Sequence, residues 1–296
     1  MSIFTYCYLK VCAILLRSVV GLATALGGRR ARPDEVRYIA SRETGRTIKV
    51  HVYRSSSTIG PTPVLVNFHG SGFLLPLHGS DHDFCRRVSQ ETQCTVLDVP
   101  YRLAPEHPFP AALNDVEDAI RYALGRPEEF DTTRVSLSGF SAGGNLALAA
   151  SATLFPPDTF RSLIALYPPL DLNQDAATKV APKPRGQVIP LPIARLFTRC
   201  YVPPGMDKRD PRLSPRFADS NRFPSRVLMI TAEEDFLAPE AEELAARLQQ
   251  LPGRHVVRER MADCNHAWDK RTRVGTPQRQ ARDRAYGLAV DFLNES

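Results

Sequence analysis

Residues 134–153 decide the fold: Arg134-Val135-Ser136-Leu137-Ser138-Gly139-Phe140-Ser141-Ala142-Gly143-Gly144-Asn145-Leu146-Ala147-Leu148-Ala149-Ala150-Ser151-Ala152-Thr153. The segment Arg134–Leu137 reads as a strand of the buried kind, and Ala142–Thr153 as a helix built on small residues. Between them stands Gly139-Phe140-Ser141-Ala142-Gly143, the one G-x-S-x-G of the chain. A strand, a sharp turn and a helix are the setting in which such a serine is presented as a nucleophile. Its backbone must be strained, and side chains at Gly139 or Gly143 would strike the adjoining strand or helix. The competing reading is a glycine-rich helix start with Ser141 as its N-cap.

Outward from this point the pattern repeats. Val64–Phe68, Cys94–Val99, Leu163–Tyr167 and Val227–Thr231 are short apolar runs, and His255–Arg260 alternates. Helical segments lie between or beside them at His82–Thr92, Ala111–Leu124, Glu240–Leu251 and Gln278–Leu293. Val36–Ser41 and Thr47–Arg54 read as two further strands joined by the turn Glu43-Thr44-Gly45-Arg46. Strands alternating with such helices predict an α/β protein with a mostly parallel sheet flanked by helices on both faces. Twelve of the 25 prolines fall between Pro156 and Pro215. Residues 173–222 carry no strand pattern and one helix, around Pro192–Tyr201, which predicts an insertion above the carboxyl ends of the strands. The expected division is therefore residues 1–33, a core of 34–172 and 223–296, and a cap at 173–222.

The 296 residues, 43% apolar and 24% charged, describe an ordinary globule, and six cysteines without a C-x-x-C pair are no disulfide scaffold. The net charge of +6 is misleading, because residues 1–33 contain five basic groups and no acid. The remainder is nearly neutral, which sets nucleic acid aside as a partner. In residues 3–28, Lys10, Arg17 and Thr24 recur every seven residues, giving a helix one polar stripe and a wide apolar face. Such a helix either lies in a membrane interface with its arginines on anionic lipid or packs over the protein's own pocket. A secretory signal would carry its charge ahead of the apolar region, and a spanning helix would not tolerate Arg17 at its centre cheaply. A cytoplasmic location, with membrane association through the N-terminus, is the expectation.

A serine hydroxyl needs a base and the base needs an orienting acid. Of seven histidines, His51 and His255 lie in strand patterns, His69 in a glycine loop and His107 in a proline-rich turn, while His78 and His82 precede or open a helix. His266, in the loop after the last strand, remains. Asp235 directly follows Val227–Thr231, with Glu234 as a neighbour able to substitute. Ser141, Asp235 and His266 thus stand in the order serine, acid, histidine, 94 and 31 residues apart. His69-Gly70-Ser71-Gly72 follows Val64–Phe68, where half of an oxyanion hole belongs. The expected donors are the N–H groups of Gly70, Ser71 and Ala142. His78 and His82, with Asp81 and Asp83, lack an open ligand set and read as a polar helix start, so neither a metal nor a cofactor is expected. Phe73, Leu74 and Phe140, with Leu191, Ile193 and Phe197 of the cap, are the expected apolar pocket.

The stretches His69–Gly72, Tyr101-Arg102-Leu103-Ala104-Pro105-Glu106-His107-Pro108-Phe109-Pro110-Ala111-Ala112, Gly139–Asn145, Asp235-Phe236-Leu237 and His266 resemble the α/β-hydrolase fold-3, or hormone-sensitive-lipase-like, serine esterases. The resemblance covers about residues 36–293. It implies an α/β-hydrolase fold, a triad of Ser141, Asp235 and His266, and a cap drawing on N-terminal helices. Ser71 and Phe140 depart from it, since the family usually has glycine and aspartate there. The implied activity is hydrolysis of carboxylic esters, acyl or acetyl, of small apolar or aromatic molecules. Rate should fall in acid, because the base must be neutral to act. Rival expectations are a small-molecule receptor on a hydrolase scaffold, or an amide, lactone or formyl hydrolase or acyltransferase with the same triad.

Overall fold

The computed structural model describes residues 2–27, 31–55, 60–184 and 189–295. Eight strands form one sheet in the order β1-β2-β4-β3-β5-β6-β7-β8. They are β1 (Glu35–Ala40), β2 (Thr47–Tyr53), β3 (Thr62–Phe68), β4 (Thr95–Val99), β5 (Phe130–Phe140), β6 (Ser162–Leu166), β7 (Arg226–Ala232) and β8 (His255–Met261). From β4 to β8 neighbours are parallel, whereas β1–β2 and β2–β4 are antiparallel. The helices are α1 (Ile3–Gly27), α2 (His82–Glu91), α3 (Ala111–Leu124), α4 (Ala142–Thr153), α5 (Leu191–Tyr201), α6 (Ala238–Gln249) and α7 (Pro277–Asn294).

Alternation along each strand feeds two cores. Val64, Val66 and Phe68 of β3 join Val227 and Met229 of β7 against α3, α4 and α6. Leu65, Leu228 and Ile230 point the other way, to Phe84 of α2 and Tyr286 and Phe292 of α7. The chain leaves β3 for β4 on one side, then returns to place β5 on the other. That reversal is a topological switch point, and open α/β sheets bind ligands in the crevice outside it.

Residues 173–222 contain α5 and short 3₁₀ turns, and no strand among the described residues. Lys179 fastens this segment to the body through Glu240 (2.5 Å), a buried carboxylate that also accepts the N–H of Leu170. Helix α1 packs against α5. Its Leu9 and Ala13 are buried, and Arg17 reaches inward to both Glu106 oxygens (2.8 Å) and the carbonyls of Leu74 and Ala104. Of the two readings of this helix, Arg17 follows the one that packs over the protein, because its guanidinium is spent on four protein oxygens. Cys85, Cys94, Cys200 and Cys264 are buried free thiols, while Cys7 is exposed.

Candidate active site

Ser141 sits between β5 and α4 with φ 49° and ψ −120°, in a region that L-residues avoid. The flanking glycines make that turn possible. A Cβ at Gly139 would lie 2.3 Å from the carbonyl oxygen of Gly143, and one at Gly143 would lie 2.0 Å from that of Phe68. The Ser141 side chain makes no capping hydrogen bond to α4, so the N-cap reading fails. Its hydroxyl instead lies 2.9 Å from His266 Nε2.

His266 comes from the loop after β8, and its Nδ1 lies 2.7 Å from Asp235 Oδ2. Asp235 follows β7, is almost wholly buried, and its Oδ1 accepts the N–H of Leu237 at 3.0 Å. Both carboxylate oxygens are thus engaged, which fixes the group and orients the imidazole with Nδ1–H toward the acid. Tyr167 presses against the His266 ring in an edge-to-face contact (4.9 Å between centroids). Its phenol and that of Tyr286 both donate to Asp269, at 2.7 and 2.8 Å.

The loop after β3 lies beside the serine. A Cβ on Gly70 would lie 3.4 Å from Ser141 Cβ, so the glycine lets backbone approach the hydroxyl. Among the described residues the N–H groups of Gly70 and Ser71 have no backbone or side-chain acceptor. Ala142 opens α4, and the first N–H groups of a helix have no intrahelical partner. The free N–H of Gly70 and that of Ala142 thus lie beside Ser141, with that of Ser71 next along the loop. Gly72 takes φ +57° and meets the Phe197 ring of α5, so the inserted segment rests directly on this loop.

The hydroxyl of Ser71 explains its departure from glycine. It lies 2.8 Å from the Tyr101 hydroxyl and accepts the N–H of Phe73 at 2.8 Å. Tyr101 donates to the carbonyl of His69 (2.6 Å) and stacks on its ring at 4.6 Å. Burial among these groups pushes the His69 pKa below its ordinary value. The Tyr101–Ala112 run is thus the brace of the loop: the Ala104 N–H bonds the Phe73 carbonyl and the Phe109 N–H that of Tyr201. Tyr101 lies within the Tyr101–Ala112 run but nothing in the sequence marks it as a brace, and Tyr167 at the end of β6 carries no sequence signal at all.

The expected pocket needs correction. Phe140 is buried on the opposite face of the sheet, edge-on to Phe84 (5.1 Å) and Tyr286 (6.4 Å), with Lys270 Nζ 3.5 Å over its ring. It is not a pocket floor. Phe73 stacks flat on Tyr201 of the inserted segment (3.8 Å), and Leu74 is buried in the same seam, its carbonyl under Arg17.

The alpha/beta hydrolase fold model Abhydrolase_3 matches residues 65–270. The chain belongs to that family. Among curated members of it, an arylesterase from Saccharolobus solfataricus is 32% identical over 193 residues, 63% of this chain and 62% of its own. An ethyl acetate hydrolase from Pseudomonas putida is 28% identical over 236 residues, 76% and 73% of the two chains. Against four curated relatives the match spans 56% to 65% of their length. The hyperthermophilic esterase of Pyrobaculum calidifontis superposes with a TM-score of 0.80 at 26% identity, covering 97% of this chain and 93% of that one.

Proposed function

We propose that this member of the family is a serine hydrolase of carboxylic esters, with acyl or acetyl esters of small apolar or aromatic alcohols as substrates. The observation that carries the reading is the position of His266, within hydrogen-bond reach of both Ser141 Oγ and Asp235 Oδ2. The arylesterase and ethyl acetate hydrolase among its relatives favour an ester over an amide or lactone.

In this mechanism His266 Nε2 takes the Ser141 proton as the oxygen attacks the ester carbonyl. The N–H groups of Gly70, Ser71 and Ala142 receive the oxyanion, each contributing roughly a hundred- to a thousandfold in rate. The tetrahedral adduct collapses, the C–O bond to the alcohol breaks, and His266 returns the proton to the departing alkoxide. Water then attacks the acyl-serine by the same route, releasing acid and free Ser141. Residues 3–27 and 173–222 act as the cap that bounds the acyl pocket, with Phe197 at its inner edge.

A chain-length series of nitrophenyl esters tests this, beside fluorophosphonate labelling. Turnover should favour short acyl groups, and Ser141→Ala should abolish both turnover and labelling. Persistent labelling of that variant would refute the assignment. Stoichiometric binding of the esters without turnover would favour the receptor reading instead.

The outer face of α1 supports a location. Phe4 (85% exposed), Tyr8, Val11, Leu15, Val19 and Leu22 share one side of the helix. We place this face on an anionic lipid surface. The exposed Arg199, whose guanidinium overlies Tyr8, borders it, and residues 1–33 contain no acid. Vesicles containing 30% phosphatidylserine should sediment the protein, and a Leu15→Glu, Val19→Glu double variant should stay in solution. Unchanged sedimentation of the variant, or self-association in place of vesicle binding, would overturn the placement.

A further inference from the structure

A second convergence of imidazole and carboxylate lies where β2 and β4 pair. His51 of β2 is the antiparallel register partner of Asp98 of β4. His78 arrives from the loop joining β3 to α2. Its Nε2 is 3.4 Å from Asp98 Oδ2 and 3.0 Å from the Asp98 carbonyl oxygen, and His51 Nδ1 is 3.9 Å from Oδ2. The two imidazoles stack at 4.0 Å, and the three donor atoms lie within 4.8 Å of one another.

Two features set this cluster apart from a routine hydrogen-bonded core. Asp98 is fully buried, yet Oδ2 has no hydrogen-bond partner, and neither has His51 Nδ1. Buried polar atoms are rarely left in that state, and a buried carboxylate without a partner is costly. The surrounding charge does not relieve it. Asn67 Nδ2 bridges Asp98 Oδ1 and Asp81 Oδ2, and Lys270 is shared between Asp81 and Asp269. Two buried carboxylates therefore share one ammonium, and Asp98 is linked to them only through the Asn67 amide.

We propose that His51 Nδ1, His78 Nε2 and Asp98 Oδ2 bind a divalent transition-metal ion, zinc foremost. Two imidazoles and a carboxylate are a zinc ligand set. Bonds of about 2.1 Å in a tetrahedron put the donors about 3.4 Å apart, within the spread of separations here. On binding, the His78 proton moves from Nε2 to Nδ1, and the ion takes the place of the hydrogen bond to the Asp98 carbonyl. Water or that carbonyl completes the coordination. The His69 ring borders the site, 6.0 Å from that of His78 and stacked on Tyr101. The role of the ion is positional: it ties the far end of the loop that carries His69–Gly72 to two strands.

The test uses the full chain stripped with chelator and titrated with zinc chloride, then with cobalt chloride. One equivalent of zinc should bind at micromolar Kd or tighter. At a hundredfold excess over Kd, Tm should rise by roughly 5 °C. Cobalt should give the intense visible absorption of a tetrahedral nitrogen–oxygen site. Asp98→Asn, and separately His51→Gln with His78→Gln, should weaken binding at least about a hundredfold, while Cys7→Ser should not. Ester turnover by the metal-free variants confirms that they are folded. No stoichiometric uptake at 100 µM of either metal, or uptake that survives both sets of substitutions, would overturn the site.

Discussion

Two histidine–aspartate arrangements share this sheet, and they differ in how completely their polar atoms are satisfied. At the Ser141 rim, Asp235 spends one oxygen on His266 and the other on the Leu237 N–H, and His266 spends both nitrogens. At the antiparallel edge, Asp98 Oδ2 and His51 Nδ1 have no hydrogen-bond partner. A fully partnered pair is rigid and poised for one proton transfer; an unpartnered one holds unfavourable free energy until something binds or protonates it. The comparison teaches that the same two residue types describe a catalytic relay in one place and a ligand-ready cluster in another, and that hydrogen-bond satisfaction separates them.

The largest expected effect breaks the rim. Asp235→Asn keeps the size of the side chain but presents an N–H where His266 Nδ1–H must be received. It should lower kcat on the order of 10⁴-fold with the fold intact by circular dichroism. A loss of less than tenfold would mean that Asp235 does not orient the base, and Glu234 would be the next residue to replace.

The second prediction sharpens the contrast at the edge. Desolvation, reinforced by Asp81, pushes Asp98 up to about 7. An unfolded aspartate ionises from about pH 4, so between about 4 and 7 the folded chain holds the extra proton, and stability falls as pH rises through that window. In metal-free protein, Asp98→Asn should therefore raise stability at pH 8 by about 2–4 kcal/mol, with the gain gone by pH 4. Urea unfolding at the two pH values measures it. Destabilisation at pH 8 in chelator would show that the carboxylate is already satisfied.

The contrast also explains what the sequence could reveal. The rim was legible because each part is tied to a strand end: Ser141 after β5, Asp235 after β7, His266 after β8, Gly70 after β3. Strand ends can be read from apolar runs, and a parallel sheet brings them to one edge. Among the described residues the strands were readable from their apolar or alternating runs and the helices from their amphipathic spacing. The cluster of His51, His78 and Asp98 was not legible, because it depends on the antiparallel register of β2 on β4. The spacing of His78 and His82 along the chain points instead to the start of α2. Phe140 misled through its nearness to Ser141. Consecutive strand residues face opposite ways, so Phe140 enters the α2–α7 core while Ser141 opens toward the rim. Arg17 left two readings open because a polar stripe says nothing of which side it faces, and Glu106 decides between them.

The smallest expected effects probe how the oxyanion loop is held. Tyr101→Phe removes the phenol that donates to the His69 carbonyl and faces Ser71 Oγ, without touching substrate. A lost buried hydrogen bond is worth about 1 kcal/mol, so kcat should fall about five- to tenfold with KM little changed. Ser71→Gly restores the residue usual in the family and retains the N–H, while giving up two side-chain hydrogen bonds. Here kcat should fall only about two- to fivefold, and Tyr101→Phe combined with Ser71→Gly should cost little more than Tyr101→Phe alone, because both remove the same brace. A drop of a hundredfold or more in Ser71→Gly would place the hydroxyl itself at the oxyanion and make Ser71 a catalytic residue. Strict additivity of the two substitutions would mean that Tyr101 and Ser71 act separately, and that the loop is held from His69 alone.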